Sequence, residues 1–230
     1  MTENKISVYW GCRQLNLIDR ASDMFNYLKI LTAKVFPEAE WEMLDSGKID
    51  LNDAKTIKII LENLKKEIKS HYKLKSVEDT FTEEINSIGI FSNQSITIRI
   101  SIGGCANIPN SINIERRFKS NIIHHYEVMK SLFEQTIFYF APDWGVITDR
   151  VFYKDIANQS INEYWFGWMN YFSKKLSIPI IPSEFKYEVI NELGKLYITT
   201  EEIFDVSNPV HVEKAKMLVD LFRKERIERI

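Results

Sequence analysis

Residues Ser95 to Ile102 read Ser-Ile-Thr-Ile-Arg-Ile-Ser-Ile, an unbroken alternation of polar and apolar side chains. Successive side chains of a strand point to opposite faces, so this run specifies a half-buried β-strand. Gly103 and Gly104 end it, and Ser111 to Arg116 follows as an antiparallel neighbour across a loop holding Pro109 and Asn110. Ile85 to Phe91 is a third strand candidate, and Lys5 to Trp10 an earlier one that stops at Gly11.

Helical periodicity surrounds this β-rich middle. Apolar stripes predict helices over about Leu17 to Phe36, Asn52 to Tyr72 and Ser120 to Phe140. Pro37 and Pro142 stop the first and third. The second helix carries Lys55, Lys58, Lys65, Lys66 and Lys69 opposite its stripe; with little aromatic or Arg interleaving, that row reads as a solvated face and not as a phosphate-binding surface. Trp144 to Val151 reads as a strand, and the nearly all-apolar run Tyr164 to Phe172 as a central strand. Tyr187 to Glu192 and Lys195 to Thr199 form a hairpin turning at Gly194. Asn208 as N-cap and Pro209 at the first helical position open a last helix with the stripe Val212, Ala215, Leu218, Val219, Phe222. Strands grouped between helices and joined by hairpins give an α+β class, a mainly antiparallel sheet with long amphipathic helices packed on one face. No short-period repeat or low-complexity linker divides the chain, so residues 1–230 read as a single domain.

Composition limits the functional classes. The net charge of −2 lacks the basic excess of a dedicated nucleic-acid binder. Cys12 and Cys105 are the two cysteines, with no CxxC pair, which argues against a disulfide scaffold and for a reducing compartment. The N-terminus has no apolar signal core and no segment is apolar enough to span a bilayer, so the expected location is cytoplasmic.

The catalytic scan is largely negative: GxSxG, HExxH, P-loop and GxGxxG are absent, and no cofactor is expected. His124 and His125 are adjacent on a predicted helix, diverge by about a hundred degrees and do not readily share a metal; no metal site is expected there or at His71 or His211. One enzyme-like pattern exists. Pro142-Asp143 followed by Glu184-Phe185-Lys186 imitates the PD…ExK layout of metal-dependent nucleases, in which two carboxylates hold a metal and a lysine assists the attacking water. Such a site needs the three groups together, whereas Asp143 follows a helix and Glu184 a proline loop.

A binding reading competes with it. Glu38, Glu40, Glu42, Asp45, Asp50 and Asp53 are opposed only by Lys48, and Trp41 sits among them. Charge steers encounter with a basic partner while an aromatic supplies buried area, so Glu40, Trp41, Glu42, Asp45 and Asp50 form the candidate partner-binding group. The competing reading for Trp41 is a cap on the core. Trp10, Trp144 and Trp168 lie in or beside predicted strands and are assigned to the core.

Several short motifs, in order along nearly the whole chain, resemble the Imm52 family of bacterial immunity proteins: Tyr9-Trp10-Gly11-Cys12-Arg13, Ile88-Gly89-Ile90-Phe91-Ser92, Pro142-Asp143-Trp144-Gly145-Val146, Gly167-Trp168-Met169-Asn170-Tyr171 and Asn208-Pro209-Val210-His211-Val212. The resemblance implies an antidote encoded beside a toxin of a polymorphic or type VI secretion system. It further implies a cognate toxin domain as partner, a basic nuclease whose active site is covered or distorted, with no catalysis by the antidote, no direct contact with nucleic acid and no membrane. It implies no oligomeric state.

Overall fold

The computed structural model describes residues 4–11, 26–30, 34, 39–43, 47–51, 53, 55, 58–59, 86–93, 96–102, 110–116, 126–160 and 163–227. They fall in two compact units, Trp10–Ile112 and Met1–Tyr9 with Asn113–Ile230. The strands are β1 (Asn4–Trp10), β2 (Trp41–Met43), β3 (Gly47–Ile49), β4 (Asn86–Ser92), β5 (Ile96–Ile102), β6 (Asn110–Arg116), β7 (Trp144–Asp149), β8 (Met169–Ser173), β9 (Lys186–Ile190) and β10 (Gly194–Ile198). Two α-helices have bounds among the described residues, α1 (Tyr126–Phe140) and α2 (Pro209–Lys224), with a π-helical turn at Phe152–Ile156; residues 120–125 of the predicted Ser120 to Phe140 helix lie outside the described residues. The predicted helix over Leu17 to Phe36 is seen as helical at 26–30; most of that over Asn52 to Tyr72 lies outside the described residues.

In the Trp10–Ile112 unit the strand order is β3-β2-β4-β5. The Ser95 to Ile102 alternation becomes β5: Ile96, Ile98 and Ile100 are buried and Arg99 is exposed. Its partner β4 sets Ile90 opposite Ile98. The turn after β4 is tied to β2 by a reciprocal pair, in which the Asn93 amide donates to the Glu40 carbonyl at 3.1 Å and the Glu40 amide to Asn93 Oδ1 at 3.1 Å.

The other unit follows the order β6-β1-β7-β8-β10-β9. Strand β7 is central and all six of its residues are buried. Register fixes which side chains share a face. Tyr9, Trp144 and Phe172 align across β1, β7 and β8, and so do Val8, Gly145 and Tyr171 on the opposite face. Helix α1 covers the second set: a side chain at Gly145 would place its Cβ 3.0 Å from both Phe133 of α1 and Val8, so glycine lets the helix down onto the sheet. Helix α2 covers the first set, with Phe222 stacked on Phe172 at 5.3 Å. The α+β class and antiparallel pairing stand, but the helices do not share one face. The cause is that both faces of this sheet are apolar at its centre, which requires a cover on each side. The two helices span 15 and 16 described residues.

The segment Tyr164 to Phe172 also differs from expectation. Only its end is strand, β8, and the rest is an irregular loop. Its apolarity reports burial: Tyr164, Phe166 and Trp168 are 3%, 1% and 0% exposed. The backbone here bonds to side chains where a strand would bond to a neighbour. Gln159 accepts from the Phe166 amide and donates to the Tyr164 carbonyl, and Trp165 Nε1 donates to the Ser160 carbonyl.

At the close of that loop Gly167 lies against β7. A Cβ there would meet the Ile147 carbonyl and Thr148 Oγ1 at 2.6 Å and Thr148 Cα at 2.7 Å, which are mostly backbone atoms that cannot swing away. Gly167→Ala is therefore expected to destabilise the fold by roughly 2–4 kcal/mol through overpacking. Gly47, at φ +68° with open space around it, should tolerate alanine at a cost of about 1 kcal/mol. Urea titration of both variants measures the difference.

Candidate functional site

The acidic passage folds as the β2–β3 hairpin, with Trp41 opposite Ile49 and Glu42 opposite Lys48. The strand alternation sorts its side chains. Glu40 and Glu42 are exposed, as is Asp50 just after β3. Asp45 lies outside the described residues. Trp41 points the other way and is 5% exposed, so it is a core residue and not a surface anchor. Lys48 Nζ lies 3.0 Å from Glu40, whose hydrogen bond holds the lysine above its ordinary pKa. Like Glu42 and Asp50, Asp53 is exposed as well.

The nuclease-like residues do not converge. The Asp143 amide donates to the Tyr9 carbonyl and its carbonyl accepts from Ser173, placing it at the Ser173 end of β8. Lys186 is opposite Ile198, which is opposite Met169 at the other end of β8. Four residues of strand separate the two levels, roughly 13 Å, and β8 and β10 intervene sideways. Lys186 is bound to Glu201 across the strand end, and Glu184 is exposed. Among the described residues no three His, Cys, Asp or Glu side chains are grouped to hold a metal. His211 is 5% exposed and serves the turn before α2: its Nδ1 accepts the Asp205 amide at 3.2 Å and its ring stacks on Phe204.

The motif tryptophans and Asn170 are structural. Trp10, Trp144 and Trp168 are 4%, 2% and 0% exposed; the first two lie in β1 and β7 and the third in the loop just before β8. Trp144 stacks on Tyr9 with ring centroids 4.1 Å apart. Asn170 is fully buried and replaces missing ladder bonds at Gly167: Oδ1 accepts the Gly167 amide at 3.0 Å, and Nδ2 donates to the Gly167 carbonyl at 3.3 Å. Thr199 Oγ1 donates to the same carbonyl. Trp168 Nε1 donates to the Thr200 carbonyl at 2.9 Å. A cleft of about 370 Å³ between α2 and the 159–166 loop is spanned by Arg223. That guanidinium is already committed, to both Glu163 oxygens at 2.7 and 3.0 Å and to the carbonyls of Ala157 and Asn158. It is a clamp between loop and helix.

Periodicity alone did not bring out a second polar surface, on the outer side of α1. Glu127, Ser131, Glu134 and Phe138 recur at helical spacing on the stripe away from the core. Lys130 Nζ lies 2.8 Å from Glu188 of β9 and 3.1 Å from Glu134. Burial pulls this lysine down, but the two hydrogen-bonded carboxylates outweigh it and raise its pKa. One ammonium between two carboxylates leaves a net negative charge. Phe138, 65% exposed, stands beside them.

The chain matches Immunity protein 52 (Imm52) over residues 6–226. It belongs to the Imm52 family. No curated protein matches it in sequence. Among solved structures it is similar to the Pseudomonas aeruginosa T6SS protein PA0821, with a TM-score of 0.54 and 7% identity over 95% of this chain and 73% of that one. At that identity the likeness is one of fold. For this Imm52 member, motif residues such as Trp144, Gly145, Gly167, Trp168 and Asn170 thus build the scaffold.

The Arg223 pair gives a pH dependence. Its hydrogen bond holds Glu163 below the ordinary carboxylate pKa, so the contribution is complete above that value and is lost as pH falls through the folded one. Glu163→Gln is expected to flatten the acid limb of stability from about pH 5 downward. Denaturant midpoints of both proteins across that range test it, and parallel curves would refute the clamp.

Proposed function

We propose that this Imm52 protein neutralises a cognate bacterial toxin by binding it, and that the toxin is a nuclease effector of a type VI or polymorphic system. The observation that carries the reading is the family match over residues 6–226. The dispersal of Asp143, Glu184 and Lys186 supports inhibition by contact over chemistry of the chain's own. No described helix is long and apolar enough to cross a membrane. A cytoplasmic antidote meets a toxin that acts on cytoplasmic nucleic acid.

A nuclease must attract phosphates and is basic around its active site. The exposed side chains of Glu42 and Asp50, with Glu40 beside them bound to Lys48 and Asp45 between them in sequence, offer the charge such a surface expects. Exposed charges of this kind act chiefly on association rate and its salt dependence. They steer the toxin onto the antidote, which covers or distorts the active site. Because Trp41 is buried, the hairpin contributes charge and not an aromatic anchor.

The test uses the toxin domain encoded beside this gene. Co-expression of the chain should restore growth, and the two proteins should co-elute. Glu40→Lys, Glu42→Lys and Asp45→Lys together should slow association about tenfold at low salt, with less effect at high salt. Lack of any protection by the unaltered chain refutes the immunity reading; unchanged association of the triple variant refutes the role of the hairpin.

A further inference from the structure

Strand β9 is the last in its sheet. Its one neighbour among the described residues is β10. Edge strands in soluble proteins are blunted by lysines, prolines or bulges, because a row of unpaired amides and carbonyls recruits other chains. In β9 the one lysine, Lys186, is turned onto Glu201, and the middle of the strand carries Tyr187 and Val189, 52% and 64% exposed. The edge therefore exposes apolar side chains at Tyr187 and Val189, while the Lys195 ammonium of β10 stands 4.6 Å over the Tyr187 ring and Glu188 between them is turned to Lys130 on the other face.

The two faces beside this edge differ in chemistry. On one, a groove of about 380 Å³ runs between Tyr187 and the Ile178–Pro182 loop, and Ile180 at its rim is 95% exposed. On the other, a shallow cleft of about 390 Å³ lies between β9 and α1, lined by Glu134, Glu188 and Phe138. There Lys130 offsets only one of the two carboxylates. An exposed apolar patch joined to an open edge marks an interaction surface.

We propose that β9 is a docking strand, and that an extended segment of a basic protein partner adds to its free edge. Strand addition gives affinity through main-chain hydrogen bonds and specificity through alternate side chains. Here the alternation is complementary: apolar side chains of the segment enter the Tyr187–Ile180 groove, and basic ones face Glu134 and Glu188. The proposal rests on the toxin-binding reading for the identity of the partner, the cognate toxin domain. It also supplies the buried apolar area that the hairpin lacks. A second copy of this chain fits less well, since antiparallel self-pairing about the midpoint of β9 sets Glu188 against Glu188, and like charges directly opposite are destabilising.

The experiment combines affinity with amide exchange, using the full chain and the purified toxin domain encoded beside it. Amides of residues 186–190 are expected to gain protection on binding. Val189→Lys, which leaves the buried face of β9 untouched, should weaken binding about tenfold or more with unchanged thermal unfolding. Tyr187→Lys serves as the second variant should the first unfold. Toxin binding with no gain of protection in β9 and full affinity of both variants overturns the docking strand while the immunity reading stands. No toxin binding by the unaltered chain overturns both. A dimer of the chain alone that Val189→Lys abolishes assigns the edge to a second copy and overturns the proposed partner.

Discussion

The close approach of Gly167 to β7 organises the C-terminal unit. With the Ile147 carbonyl and Thr148 Oγ1 2.6 Å from where a Cβ would stand, the loop meets the central strand backbone to backbone. That contact interrupts regular pairing, so the polar groups need other partners, and Asn170 and Thr199 provide them from within the core. An unsatisfied buried amide or carbonyl costs on the order of 1–3 kcal/mol, so the network is a condition of the packing and not an addition to it. Once the loop is seated, Trp168 bonds Thr200, Phe166 and Phe172 receive Phe222, and α2 acquires its bed.

The same logic explains what the family motifs are for. Gly145 admits Phe133, Trp144 stacks between strands on Tyr9, Gly167 admits the loop, and Asn208 caps α2 by accepting the Val210 amide. Each is a place where only one or two residue types satisfy sterics or hydrogen bonding. Such positions identify a fold well and say little about a partner. The likeness to a T6SS protein at 7% identity shows the same fold carried by a largely different sequence.

Much of the architecture was legible because period-two and period-3.6 patterns report which face is buried. β5, α1, the Gly194 hairpin and the Asn208 cap lie close to their predicted places. The errors share one origin, the treatment of apolarity as conformation. Tyr164 to Trp168 is apolar because it covers the sheet, not because it belongs to it. Two-sided burial of β7 likewise put a helix on each face. Trp41 carries a local signal, the alternation of buried Trp41, exposed Glu42 and half-buried Met43, that the surrounding acidic residues obscured. Phe138 was hidden in the opposite way, as one aromatic in a helix rich in them, and its exposure follows from its place on the stripe of Glu127, Ser131 and Glu134.

Moving Trp41 inward changes what the exposed carboxylates can achieve. Solvated charges steer and discriminate, but they contribute little to a lasting complex, because each is screened by salt and well hydrated when free. A tight antidote needs desolvated apolar contacts that exclude water, with charge at their rim. The hairpin has the second property without the first, whereas β9 has Tyr187 and Val189 exposed, with Glu134 and Glu188 alongside. An edge strand also offers main-chain hydrogen bonds that no side-chain substitution in the partner removes. Selection between partners then falls to the side chains on either side of the edge, which are free to vary because none of them closes the core.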